Sequence, residues 1–412
     1  MIIAVLVTAL SLTARYLTAL YPTADVTAFV FVWMKNIQKV GFTNFWTVQS
    51  DYFPLYMFVI NLLCLLPTGE QITVNGSTFF ANWMYYLKTI FFIAEILSAV
   101  GIYLIVKYIT KDKTKAVIGY CAYLILPVQF LNSAVWGNCD SLYFCAFIYI
   151  IYFILTHKDI AAYFTLGIAF SIKLQSVFIF PLIVFLILNR RLKLWPSIFF
   201  FVGWMLSYVP SWACGAPFSQ PFSTIVTQMG GYKNLTLGCA NIWHLFNVPS
   251  GLLDLFNAGS TVFALVLIGF FLAVIYIRKI NLTDTNLLTI AFFLIVIVPF
   301  FLPHMHERYL YALEALALVY CLIKGKRYWM VVATQVSGVI AYYHYLSGKY
   351  FISALGEDSV TLASFINLAV LAVLFYDILK LDRGVRPEEE SLLQKQEIEN
   401  LKKTSEEISE NK

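Results

Sequence analysis

Long apolar runs alternate with short polar breaks along most of this chain. Runs of the length a membrane-spanning helix needs, about twenty residues or fewer inside a bundle, fall near 2–20, 86–108, 116–131, 141–156, 160–172, 174–188, 196–213, 258–277, 286–302, 308–323, 328–346 and 360–381. The run "FPLYMFVINLLCLLP" (53–67) is shorter and bracketed by Pro54 and Pro67, so by itself it reads either as a crossing or as a re-entrant or interfacial segment. Residues 382–412, "DRGVRPEEESLLQKQEIENLKKTSEEISENK", turn abruptly charged and predict a solvated tail. The pattern predicts an all-α polytopic membrane protein: a membrane domain over 1–381 with about twelve transmembrane helices plus one re-entrant or interfacial segment, and a charged tail over 382–412.

Composition agrees. Of 412 residues, 60% are hydrophobic and 12% charged, against roughly a quarter charged in soluble domains. Aromatic content of 17% suits broad interfacial belts. The seven cysteines are scattered without a CxxC pair, which gives no disulfide framework and no zinc site. Residues 2–20 lack a basic leader and run into further apolar segments, so they read as a first membrane helix rather than a cleaved signal.

The net charge of +5 matters less than where Lys and Arg fall. Suppose 53–67 does not cross and the N-terminus lies inside. Five short loops with their edges (107–115, 158, 190–193, 278–279 and 324–327) then hold thirteen Lys and Arg on the inner side. The longer outer segments hold eight: Arg15, Lys35, Lys39, Lys88, Lys173, Lys233, Arg308 and Lys349. A full crossing by 53–67 would turn the thirteen outward. An N-out chain would repair that, but strand the 21–52 loop inside. The expectation is a multi-pass protein of the cell membrane with both termini cytoplasmic.

That topology gathers the unusual polar groups on one face. Asp25 follows the first span, and Asp51 with Tyr52 precedes the 53–67 run. "WGNCDSLY" brings Asp140, "SIKLQSVF" brings Lys173 and Gln175, and "FLPHMHERYLY" brings His304, His306, Glu307 and Arg308. Each has a plainer reading. Asp140 is suited to capping the next helix. Arg15 reads first as a snorkelling anchor, and Glu95 and Glu314 as interhelical hydrogen-bond partners. His304 and His306 stand at i and i+2, which do not share a helix face, although a loop could present both to a metal.

There is no phosphate-binding glycine loop, no GxSxG, no HExxH and no nucleotide-binding unit. Carboxylates beside cations at a membrane rim suit a different chemistry. Arg and Lys hold phosphate, a carboxylate can deprotonate a bound hydroxyl, and a phosphate leaving group needs cations rather than an acid. The set fits transfer of a group from a lipid phosphate to a hydroxyl.

These motifs carry a resemblance. "LTARYLTALYPTADVTAFVFVWMKNI", "SDYFPLYMFVI", "WGNCDSLY", "SIKLQSVFIFPLIV", "LTLGCANIWHLF" and "FLPHMHERYLY" stand in family order over residues 12–311. The chain resembles the bacterial relatives of the eukaryotic GPI-anchor mannosyltransferase, within the GT-C class of polytopic glycosyltransferases. It departs where the family usually has Gln in place of Asn138, and Gly-Asp where this chain has Ala24 and Asp25. The resemblance implies an inverting transferase that moves a mannosyl or other hexosyl group from a polyprenyl-phosphate sugar donor to a glycan or lipid acceptor at the outer face. It implies Asp25 as the base and Asp51 and Tyr52 as groups shaping the site. Lys173, Arg308, His304 and His306 would cradle the donor phosphate, and Glu307 would orient Arg308. No metal, cofactor or nucleic acid is expected; membrane lipids are. The rival readings are a transporter or flippase of lipid-linked sugars, which tends to carry repeats and midplane sites, and a non-catalytic membrane subunit.

Overall fold

The computed structural model describes residues 2–228, 234–246 and 248–384, and is 73% helical. Lys233 and residues 385–412 of the tail lie outside the described residues. The chain opens with α1 (Ile2–Thr18), a π-helical turn at Asp25–Val30 and α2 (Phe31–Val40). Next come α3 (Pro54–Leu63), a hairpin of β1 (Gln71–Val74) and β2 (Ser77–Phe80), and α4 (Ala81–Thr110). α5 (Lys113–Ile125) bends by 48° at Pro127 into α6 (Pro127–Phe130) and a second π-turn, Leu131–Trp136.

α7 (Asp140–Leu155) and α8 (Asp159–Phe170) lead to a 3₁₀ turn at Leu174–Ile179 that continues into α9 (Phe180–Leu188). α10 (Ile198–Leu206), α11 (Val209–Ala213), α12 (Gln220–Gln228) and β3 (Thr236–Leu237) follow. The C-terminal part is α13 (Leu253–Ile277), α14 (Asp284–Phe301), β4 (Met305–His306), α15 (Tyr311–Lys324), α16 (Trp329–Ser347) and α17 (Asp358–Leu379).

Among the described residues four helices, α4, α13, α14 and α17, are long and apolar enough to cross a membrane, and the bent α5–α6 pair makes a fifth if it is one span. Several shorter apolar helices pack among them. The core is centred on α14 and α15, whose residues 287–301 and 311–322 are buried throughout. α8 and α10 approach closely enough that a Cβ on Gly167 would meet Phe200 O at 2.1 Å and one on Gly203 would meet Phe164 O at 2.4 Å. This is the small-residue contact by which helices associate in an apolar medium.

The 53–67 run forms the ten-residue α3, which is only about 15 Å long. The chain then turns back through β1 and β2, which pair antiparallel across Asn75 and Gly76, both with positive φ. Asn-Gly between alternating side chains is the signal for such a turn, and it stands in "QITVNGSTFF".

Two cations expected at outer loop edges lie inside the bundle. Arg15 is buried, its Nε donating to Glu95 Oε2 at 2.7 Å, so it ties α1 to α4 rather than snorkelling. Lys88 is also buried and donates from Nζ to the carbonyls of Tyr21, Ala134 and Val135 at 3.0, 2.8 and 3.1 Å. A buried ammonium needs such partners, and here it pins the end of the first helix to the second π-turn.

At the other end of the bundle the basic loops meet one another. Arg191 Nη1 contacts His157 Nδ1 at 2.7 Å, and Arg191 lies 3.7 Å from Asp284. Asn281 N donates to Asp382 O at 2.9 Å, and Arg327 Nη2 pairs with Asp377 at 2.9 Å. The loops 157–159, 190–193, 278–284 and 324–327 therefore share one end.

Candidate functional site

The opposite end holds a cavity of about 860 Å³. Two π-turns flank it, and each delivers a functional group: Asp25 opens the first and Trp136 ends the second. A π-turn adds a residue to the helical turn and re-aims its side chains, which is why such turns recur at working sites. Thr23 Oγ1 donates to Trp136 O at 2.7 Å and links the two turns. Gly137 follows with φ +77°, and a Cβ there would stand 2.8 Å from Lys88 Cε and 2.9 Å from Val26 Cγ2. Only glycine fits the chain reversal that leads to Asn138 and Asp140.

Asp25 is held from three sides. Tyr345 O–H donates to Oδ1 at 2.7 Å, and the Asp25 N–H donates back to the same phenol oxygen at 3.0 Å. Trp136 Nε1–H donates to Oδ2 at 2.9 Å, and Arg308 Nη1 lies 3.4 Å from that oxygen. Burial works to raise the Asp25 carboxyl, but the Arg308 guanidinium, the Tyr345 and Trp136 hydrogen bonds and His306 outweigh it and hold it below its ordinary range. Asp25 is therefore a carboxylate at neutral pH, partly exposed to the cavity.

Asp140 and Lys173 form the second charged pair. The Lys173 ammonium sits against Asp140 Oδ1 and donates to Asn138 Oδ1 at 3.3 Å. Asn132 Nδ2 donates to Asp140 Oδ2 at 2.9 Å. The N-cap position of α7 is held by Cys139, and both Asp140 oxygens are engaged instead by Lys173 and Asn132. Three phenol rings surround the ammonium, those of Tyr309, Tyr143 and Tyr52 at 5.4, 5.5 and 6.0 Å from Nζ to the ring centres. Ring faces are electron-rich and stabilise a desolvated cation.

Arg308 joins the two pairs. Its guanidinium lies over the Trp136 ring at 5.4 Å, and its Nε is 3.9 Å from Asp140 Oδ2. Burial disfavours its charge, but the Asp25 and Asp140 carboxylates favour it and hold the guanidinium protonated.

The "HMHER" stretch is not helical: His304 has a left-handed φ of +60°, Met305 and His306 form a short strand, and Glu307 and Arg308 lie in the turn that follows. β4 pairs in parallel with β3, and His304 N donates to Leu235 O at 2.8 Å. Beyond β3, Trp243 Nε1 donates to Phe301 O at 2.7 Å and Asn241 Nδ2 to Leu302 O at 3.2 Å, so the "LTLGCANIWHLF" stretch braces the end of α14. His304 Nδ1 contacts Asn234 O at 2.7 Å, and His306 Nδ1 lies 3.6 Å from Glu307 Oε2. Among the described residues no group of three His, Cys, Asp or Glu is arranged to hold a metal ion.

Of the residues singled out from sequence, Asp25, Asp51, Tyr52, Lys173, Gln175, His304, His306 and Arg308 line this one cavity. Asp140 and Glu307 do not. Asp140 lies fully buried behind Lys173, and the buried Glu307 faces His306, whereas Arg308 is oriented by Asp25 and Asp140. The sequence reading assigned no role to Trp136, Asn132, Tyr143, Tyr309 or Tyr345. Tyr345 stands in "AYYHYLS" near the end of a span, where aromatic residues are ordinary interfacial anchors. Nothing in its spacing distinguishes it.

Compared with models of known protein families and with curated proteins, the chain matches none.

Proposed function

We propose that this chain is an inverting glycosyltransferase of the outer membrane face, moving a hexosyl group from a polyprenyl-phosphate sugar to an acceptor hydroxyl. The observation that carries the reading is one cavity offering an ionised carboxylate, Asp25, beside the buried cations Arg308 and Lys173. Asp25 takes the proton of the acceptor hydroxyl. The acceptor oxygen bonds to the anomeric carbon as the bond from that carbon to the phosphate oxygen breaks, and the electron pair leaves with the phosphate. Arg308 and Lys173 meet the charge that develops there. The Arg308 Nε–H is turned inward, 3.9 Å from the buried Asp140 carboxylate, so the guanidinium would meet a donor phosphate through its terminal Nη groups. A donor phosphate that draws Arg308 toward itself also loosens its hold on Asp25, so the base strengthens when the donor is bound.

The twelve-span topology, with both termini cytoplasmic, belongs to the same proposal. The clustering of the basic loops at the end away from the cavity supports it, because such loops mark the cytoplasmic side. The burial of Arg15 and Lys88 removes two cations from the eight counted outside, which sharpens the asymmetry.

The test is transfer of radiolabelled hexose from a polyprenyl-phosphate donor in membranes containing the chain or its Asp25→Asn variant. The variant should lose about 10²–10⁴-fold in rate at unchanged protein level. A rate that survives removes Asp25 as the base. Movement of intact labelled donor across sealed vesicles, with no transfer, would favour the flippase reading instead.

A further inference from the structure

A second concavity adjoins the charged one. It lies between the 45–57 segment and α12, has a volume of about 280 Å³, and is lined by Trp46, Gln49, Ser50, Tyr52, Gln220 and Thr224 among others. Ser50 and Tyr52 line both spaces, so the two adjoin at these residues. Their linings differ in kind. The larger cavity carries Asp25, Asp51, Lys173 and Arg308. Among the described residues, the smaller groove is lined by no charged side chain.

The groove is also held in shape. Trp46 Nε1 donates to Cys214 O at 3.0 Å, which fixes its ring against the 211–215 segment. Tyr52 packs on Tyr56 at 4.6 Å between ring centres. On the facing side, Gln220 Oε1 is buried without a hydrogen-bond partner, and a buried polar atom of this kind calls for one. Fixed aromatic rings and uncharged amide and hydroxyl groups suit a ligand with apolar C–H faces and many hydroxyls. A phosphate or carboxylate would lose its water there without gaining a countercharge.

The geometry points to this groove as a subsite for a neutral carbohydrate, the acceptor glycan, whose reacting end passes Tyr52 into the charged cavity. The assignment to the acceptor rests on the transferase reading; the ligand class follows from the lining. The phosphate-bearing donor is excluded from the groove by charge, so each substrate has its own space.

Saturation-transfer NMR on the full chain in lipid nanodiscs tests the subsite without requiring turnover. The probes are mannotriose, maltotriose and chitotriose, with trigalacturonic acid as the anionic counterpart. At least one neutral trisaccharide should receive saturation and the anionic one none. Gln220→Ala and Trp46→Phe, which remove a hydrogen-bonding group or alter the ring while leaving the cavity charges intact, should each weaken binding about fivefold, the worth of roughly one net hydrogen bond. No signal from any neutral trisaccharide, equal signal from trigalacturonic acid, or wild-type binding in both variants would overturn the proposal. Asp25→Asn protein should still bind the trisaccharide, because the groove residues are unchanged. If that variant binds it and also still transfers hexose, the catalytic reading fails while the subsite stands.

Discussion

Arg308 Nη1 lies 3.4 Å from Asp25 Oδ2, joining the stretch after α14 to the turn after α1. The guanidinium is nearly buried, whereas the carboxylate is partly exposed to the cavity. Trp136 serves both, donating to the carboxylate at 2.9 Å and lying under the guanidinium at 5.4 Å. Such an arrangement keeps a carboxylate ionised at the edge of the cavity and sets a cation beside it.

Replacing Arg308 by Lys should not be conservative. Lysine keeps the charge but loses the planar fork that can bridge Asp25, Asp140 and a phosphate oxygen. The rate of hexosyl transfer should fall about a hundredfold, measured in membranes at matched protein level. Wild-type rates in Arg308→Lys would remove the guanidinium from the mechanism.

Tyr345→Phe should move the acid limb of the pH–rate profile upward. The sign follows from Asp25: its pKa is lowered in the folded site, so the base is charged at neutral pH and is lost only as pH falls through that lowered value. The Tyr345 hydrogen bond favours the charged form; without it the carboxyl protonates at higher pH. An acid limb that stays in place in the variant would mean that Asp25 does not govern it.

Asp140 and Lys173 make a stability prediction independent of activity. Asp140→Asn leaves the buried Lys173 ammonium without its anion and should cost about 3–5 kcal/mol, read as a lowered Tm of the detergent-purified protein. The double variant Asp140→Leu/Lys173→Met removes both charges and should recover most of that stability while remaining inactive. An undiminished Tm in Asp140→Asn would show that the pair is not holding the site together.

The topology is open to cysteine labelling. In a background lacking the seven native cysteines, single cysteines at the exposed positions Gln49 and Lys349 should react with an impermeant maleimide on intact cells. Those at Lys113 and Arg190, also exposed, should react only after permeabilisation. The reverse pattern would put the cavity on the cytoplasmic face.

Much of the helical order was legible because apolar length is a local property. The run near 286–302 is apolar almost throughout and falls on α14, whereas the run near 116–131, expected as one span, bends at Pro127. The hairpin at 71–80 carried a readable Asn-Gly signal beneath the stronger pattern of the spans. Arg15 and Lys88 could not be read in the same way. A cation near the end of an apolar run looks the same whether it snorkels outward or turns inward, and only the partners Glu95 and three backbone carbonyls decide for the interior.

The candidate site divides along the same line. Amino-acid order alone determined that charged residues interrupt apolar runs at Asp25, Asp51, Asp140, Lys173 and the 304–308 stretch, because charge in an apolar run is costly wherever the chain goes. Tertiary structure decided which of these charges face each other. It put Asp140 behind Lys173 and out of the cavity, gave Glu307 to His306, and brought Trp136 and Tyr345 to Asp25. Apart from Glu307 and its neighbour His306, those pairings join residues from distant parts of the chain, and two π-turns aim the Asp25 and Trp136 side chains that meet. Contacts of that kind depend on how helices pack and where a helical turn gains a residue, and neither leaves a periodic mark in the sequence.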